Sequence, residues 1–529
     1  MGKYHKNKKM VKRKSLIQWF IILILLGTVL YLINPYNVFG NVKPWDIKYI
    51  GNEMKYSIKN FRFKADSLAD IPKCLDCNVI WLSLEGLRAD RLGAYGYELD
   101  TSPNIDRLTE ESIVFKETFI NSLDPGSSFT SAFRSFYPRQ TNSPTGNKFS
   151  DYKSILGTLK RNGYKTTWSG YSDIRGINFS RFFGTGVDSF YDPIFTRRNR
   201  FDNKIFSEIL EEGGKFFWGV YLTTISGPQI YPGEFSYEFS DPNYVGKLPK
   251  NFNESDEMMF FGIMEEYKKY PKALLKKIED APLTLDQKKT LLESLESGDL
   301  AKYSELRRNG SVPRIIFKNV EIGRPKESRY SFVIDGNSTK EDLAQFSGSY
   351  DNGVFYVDYL LSVFFNELKK HDLWENTIII INSNQGKELY EQRRFNNLNF
   401  YDNVIHVPLI IKVPGLKQKI EFTGISQSVD ISPTLKGLLN VESKARMDGK
   451  DLLREIPNEY VYGTLFDKGS YIRSKKWKYI RLGDGTEELY YLVSDPFEQS
   501  NLIEEGGIIL NKFKQTMKKE LMLWETNLN

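Results

Sequence analysis

Four consecutive isoleucines, Ile378 to Ile381, stand in the stretch TIIIINSNQGKELYEQ, residues 377–392. Side chains along a strand alternate between faces, so an unbroken isoleucine run puts two on each side of a sheet. Both faces must then be covered, as in parallel sheets flanked by helices. The neighbouring sequence supplies the parts. NVIWLSL (Asn78 to Leu84) reads as a second apolar strand, ended by a Glu85–Gly86 turn and a polar loop. SPNIDRL reads as a helix start, with Ser102 before it and Pro103 just inside. SILGTLKRNGYKTTWSGY reads as helix, Gly163 stop, then strand; KFFWGVYLTTIS is another strand. A long amphipathic segment from Tyr350 leads into the isoleucines, and HVPLIIKVPG adds a strand ended by Pro414 and Gly415. Strands alternating with helices predict an α/β fold with a mainly parallel sheet.

At 529 residues there is material for two to four domains and a large core. The formal charge of +6 is local: residues 1–14 carry seven Lys and Arg and no Asp or Glu, which leaves the remainder at −1. A nearly neutral body gives no electrostatic basis for nucleic acid binding. Residues 15–34 follow, with an apolar core from Leu16 to Ile33 broken by Gln18 and Thr28. About 18 residues cover about 27 Å as a helix, enough to cross a thin bilayer. A cleaved signal peptide is the alternative, but no small-residue cleavage site follows, and the first alanine is Ala65. We therefore expect one transmembrane anchor. By the positive-inside rule the N-terminus is cytoplasmic and the main domain extracytoplasmic.

Residues 35–77 read as a stalk and lead-in, and 78–454 as the main domain. An insertion of charged, helical character occupies about 229–345. Residues 455–529 form a C-terminal unit, with a hairpin about Gly483–Asp484–Gly485 and a closing helix. The two cysteines, Cys74 and Cys77, suit a short-loop disulfide; a metal knuckle would need two more ligands.

The run NVIWLSLEGLRADRLGAYGYELDTSPNIDRL resembles the opening of the sulfatase branch of the alkaline phosphatase superfamily. Later pieces agree in order: FYP (136–138), YDNVIHVPLIIKVPG (401–415), SVDISPTL (428–435), MDGKDLL (447–453), KWKYIR (476–481) and ELYYLVSDPFEQSNL (488–502). The resemblance implies a large mixed sheet flanked by helices, with a small C-terminal α+β subdomain. It also implies one or two divalent ions held by carboxylates and His, activating a nucleophile against a sulfate or phosphate ester.

Carried over residue by residue, the first acidic ligand falls on Glu85, and its acidic neighbour becomes Gly86. The nucleophile, twelve residues before the Tyr of FYP, becomes Pro125. Ser127, Ser128 and Thr130 lie nearby as substitutes, displaced by two, three and five residues along the chain. The family's Asp-x-His-Gly-Pro segment becomes TISGP, with Thr224 and Ser226 at the Asp and His positions. Its Ser-Asp-His-Gly-Glu loop becomes SNQGK, so Asn384, Gln385 and Lys387 replace Asp, His and Glu. Neutral amides are poor ligands for a dication standing alone. Only three histidines occur: His5 in the basic tail, His371 at a helix end and His406 at a strand start.

The expectation is a membrane-anchored pseudoenzyme of the sulfatase-like fold, needing no cofactor and serving binding or assembly at the outer membrane face. Its partners would be membrane lipid through the N-terminal helix, and envelope proteins or anionic glycans. Arg88 and Lys387 are the anion-binding candidates, although Arg88 and Asp90 can instead pair with each other. The alternative is a metal-dependent sulfate or phosphate ester hydrolase or phosphotransferase of altered chemistry. It would hold Ca, Mg, Mn or Zn on Glu85, with Asn384 and Gln385 as weak ligands and Ser127, Ser128 or Thr130 as nucleophile. A purely structural envelope subunit is a third reading.

Overall fold

In the computed structural model the described residues are chiefly 71–138, 154–170, 186–191, 203–211, 213–223, 237–246, 284–297, 338–391, 399–443, 446–465 and 468–526. The expected anchor, most of the stalk and insertion, and Thr224 and Ser226 lie outside them. Among the described residues no helix is long and apolar enough to cross a membrane.

Eight strands form the main sheet: β1 (Asn78–Leu84), β2 (Ser112–Phe119), β3 (Lys165–Ser169), β4 (Ser189–Tyr191), β5 (Phe216–Leu222), β6 (Thr377–Asn382), β7 (His406–Lys412) and β8 (Ile420–Gln427). Their spatial order is β8-β2-β7-β6-β1-β5-β3-β4. Strand β7 runs antiparallel to both neighbours, and the other pairings are parallel, so the sheet is mixed.

The isoleucine run is β6, and its alternation divides the core. Ile379 and Ile381 join Ile80, Leu82 and Leu84 on one face, under α6 (Lys340–Lys370). Ile378 and Ile380 join Val79 and Trp81 on the other. There α2 (Pro125–Arg134), α3 (Ile155–Arg161) and α7 (Ile431–Leu439) cover them with Phe129, Phe133, Leu159 and Leu435. All four isoleucines are fully buried, each stabilising the fold by about 1.5–3 kcal/mol. Of the remaining helices, α1 is Pro103–Leu108, α4 Asn203–Glu211 and α5 Leu285–Ser297.

Helix α6 starts on a capping box between Thr339 and Asp342. Mid-helix, Asp358 turns inward to α1, accepting hydrogen bonds from the backbone N–H of Asn104 (3.0 Å) and Ile105 (2.7 Å). Residues of the insertion run along α6: Phe239 N–H donates to Asn352 and Asp241 N–H to Gln345.

The end of the lead-in already belongs to the domain. Cys74 N–H donates to the Leu438 carbonyl, and Cys74 is joined to Cys77. At the other end β9 (Val461–Leu465), β10 (Gly469–Arg473), β11 (Trp477–Leu482) and β12 (Glu487–Tyr491) form an antiparallel sheet. It is closed by α8 (Gly507–Thr526) through Phe513 and Met517.

Candidate functional site

The carboxyl ends of β1, β5 and β6 meet the start of α2. Backbone pairing brings them together: Glu85 N–H donates to the Leu222 carbonyl at 2.8 Å, and Ser383 Oγ donates to the Leu84 carbonyl at 2.6 Å. From α2, Ser128 Oγ donates to the Asn384 carbonyl at 2.8 Å. So Glu85, Asn384 and Gln385 stand at one end of the sheet with the residues after Pro125. All three are buried.

Two glycines set the loop shapes. Gly86 has φ +86°, a conformation in which an aspartate would be strained. The turn after Glu85 and the lost second carboxylate therefore go together. Gly386 lets two backbones approach: an added Cβ would lie 2.3 Å from the Asn403 carbonyl oxygen. Gly386 N–H and Lys387 N–H donate to Val404 and Asn403 carbonyls. The loop is thus held in shape by backbone contacts, whatever its side chains carry.

The proposed nucleophile position is at the first turn of α2. Pro125 follows Asp124, whose carboxylate caps the helix by accepting from Ser127 N–H at 2.8 Å. Of the three substitute hydroxyls, Ser128 is spent on Asn384, and Thr130 donates back to the Gly126 carbonyl at 3.0 Å. Ser127 Oγ makes no hydrogen bond to a described residue, and the residue is buried.

Arg88, an anion candidate, is fully engaged. Its guanidinium holds Asp90 through two hydrogen bonds (2.9 and 2.7 Å), binds Glu391, and donates to the Lys387 carbonyl at 3.0 Å. Burial works against its charge, but Asp90 and Glu391 more than offset it, so its pKa rises. Tyr350 completes the knot: its hydroxyl donates to the Gly86 carbonyl and accepts from Arg88 N–H. The pairing with Asp90 was legible in sequence; Glu391 and Tyr350 were not. Lys387 is buried, as is its neighbour Glu388, whose carboxylate accepts from Asn399.

The donor set does not suit a divalent ion. Glu85 is the one anionic side chain among the matched ligand positions that are described; Gly86 has no ligand atom, and Asn384 and Gln385 are amides. Among the described residues no three His, Cys, Asp or Glu side chains are grouped as around a metal. His406 sits elsewhere, packed on Phe119 (5.1 Å) with Nε2 3.0 Å from the Lys116 carbonyl, and burial lowers its pKa. His371 is at the C-terminal end of α6 against Phe206. Asn384 carries a further signature: both its amide oxygen and nitrogen are buried without a hydrogen-bond partner, as is Ser83 Oγ on β1.

The sulfatase family model matches residues 77–441, more than half of the chain. The chain belongs to the sulfatase family. Within it, similarity extends to arylsulfatase K of Homo sapiens, 27% identical over 196 residues, 33% of this chain and 37% of the relative. Choline-sulfatase of Rhizobium meliloti (strain 1021) is 27% identical over 178 residues, 31% and 35% of the two chains. The matches thus span little more than a third of those curated relatives. Solved structures agree in fold. The phosphonate monoester hydrolase of Agrobacterium radiobacter superposes with TM-score 0.58 at 15% identity, covering 85% of this chain and 96% of its own. A 2-O GAG sulfatase gives 0.59 at 16%, covering 85% and 93%.

Proposed function

We propose that this sulfatase-family chain is a catalytically silent member, anchored by its N-terminal segment, that works by binding or assembly at the outer face of a membrane. The observation that carries this reading is Pro125. The nucleophile position holds a pyrrolidine ring with no hydroxyl or thiol, on a helix start already capped by Asp124. Asn384 and Gly86 point the same way, because each removes negative charge that a dication needs, and Gln385 removes an imidazole ligand. The ligands fitting a degenerate site of this family are anionic glycans or ester headgroups, with Lys387 the remaining cation of the loop. The basic tail and apolar run of residues 1–34 support the anchor.

One observation favours a second reading, an ester hydrolase of altered chemistry. Ser127 keeps its hydroxyl outside any hydrogen bond to a described residue, one position before Ser128, which donates to the Asn384 carbonyl. Turnover of an aryl sulfate and an aryl phosphate by the purified full chain separates the two, with Mg, Ca, Mn or Zn added in turn. The silent reading expects no rate above buffer. A metal-dependent rate abolished by Ser127→Ala establishes the hydrolase.

A further inference from the structure

An open cleft lies between the main sheet and the C-terminal sheet, apart from the site above. Its charged wall is made by Glu117 of β2, Asp402, Arg473 at the end of β10, and Lys475 and Lys476 of the β10–β11 turn. Three cations against two carboxylates leave it at +1. A bulge in β2 shapes the wall: Phe115 pairs with Leu409 and Thr118 with Val407, so β2 carries one extra residue. The bulge breaks the in–out alternation, and Lys116 and Glu117 are both half-buried. Glu117 spans the lysine and the arginine, 3.4 Å from Lys475 and 3.8 Å from Arg473.

The opposite wall is apolar: Leu492, Val493 and Pro496, from the loop after β12. Leu492 N–H donates to the Lys476 carbonyl at 2.8 Å, which fastens this loop to the lysine pair. Of the apolar wall Val493 is 62% exposed, and Phe497, next along the chain from Pro496, is 70% exposed, among the most exposed large apolar side chains described. Cations in a cleft beside two protruding apolar side chains match an interface of acyl chain and anionic headgroup. A free anion would use the lysines and leave Val493 and Phe497 in water.

We propose that this cleft takes the headgroup of an anionic phospholipid, with Val493 and Phe497 entering the interfacial layer. Lys476 and Lys475 supply the attraction, the Lys475 ammonium being held toward the cleft by Glu117 (3.4 Å) and the Thr423 carbonyl (3.1 Å), and Asp402, tied to Arg473, holds that wall in place. The proposal rests on this surface alone and stands whether or not the sulfatase site is silent.

The test uses the full chain in lipid nanodiscs containing acyl-brominated lipid. Phe497→Trp is the reporter, and quenching is read as the excess over the unsubstituted chain. Excess quenching in phosphatidylglycerol discs, at least twofold above phosphatidylcholine discs, is expected. Added Lys475→Gln and Lys476→Gln should shift the docked population about fivefold per lysine, in line with the contribution of a basic residue near an anionic surface. Circular dichroism and melting of each variant separate loss of docking from loss of fold. Equal quenching in the two lipids, no excess quenching, or excess quenching unchanged by the lysine substitutions overturns the proposal. Relief by millimolar inorganic phosphate in discs lacking lipid selectivity identifies a free-anion site instead, and also overturns it.

Discussion

Two buried polar regions of this molecule are built on opposite principles. Where the main domain meets the C-terminal sheet, charge is matched by charge. Lys478, fully buried, lies 2.5 Å from both Asp402 and Glu498; Arg473 lies 3.0 Å from Asp402 and stacks 4.0 Å over Phe119. Burial opposes ionisation of Asp402, yet Arg473 and Lys478 hold its carboxyl well below the usual range. At the candidate site, by contrast, Asn384 and Ser83 are buried with hydrogen-bonding atoms unsatisfied. Unsatisfied buried groups cost stability. The comparison teaches that the buried charges of the junction meet one another, while the loop leaves the Asn384 amide unmet.

The largest effect that would break this contrast is at the junction. Lys478→Met leaves Asp402 and Glu498 buried without their shared cation, and should cost about 3–5 kcal/mol in denaturant unfolding. A loss below about 1 kcal/mol would mean that water already reaches the cluster.

Asp358 sharpens the comparison, because it is a buried carboxylate satisfied by neutral donors only. Burial raises its pKa to about 6, against the opposing hydrogen bonds from Ile105 and Asn104. The folded value lies above the unfolded one. Its stabilising contribution is therefore complete below about pH 4 and lost as pH rises through about 6. A shift of this size corresponds to about 3 kcal/mol at most. The stability of the wild type relative to Asp358→Asn should fall as pH rises from 4 to 7. A difference independent of pH would contradict the assignment.

The smallest effect belongs to the loop itself. Asn384→Leu removes two unsatisfied atoms and keeps the branched shape and heavy-atom count, so it should be neutral or stabilising by about 1 kcal/mol. A loss of 2 kcal/mol would show that the amide is satisfied in solution.

How much of this was legible from the amino-acid order depends on the range of the interactions. The isoleucine strand, β1 and the stop at Gly163 follow from local pattern, and the structure has them where the pattern puts them. Pro125 and the amides of SNQGK are single-residue facts, readable once the family motif is aligned. Asp124 as a cap was also within reach, since Asp-Pro at a helix start is a known signature. The partners of Arg88 were not: Tyr350 lies 262 residues away and Glu391 303, and no local rule joins them. The same holds for Asp402, Lys478 and Glu498, which only the packing of two sheets brings together.

The central claim is that this member of the sulfatase family lacks the negative charge to keep a divalent ion at Glu85 and the Asn384 loop. Metal content of the purified full chain, by elemental analysis after dialysis against buffered divalent ions, tests it most directly. The account predicts well under one equivalent of any divalent metal, unchanged by Glu85→Ala. One tightly held equivalent that Glu85→Ala releases would contradict it.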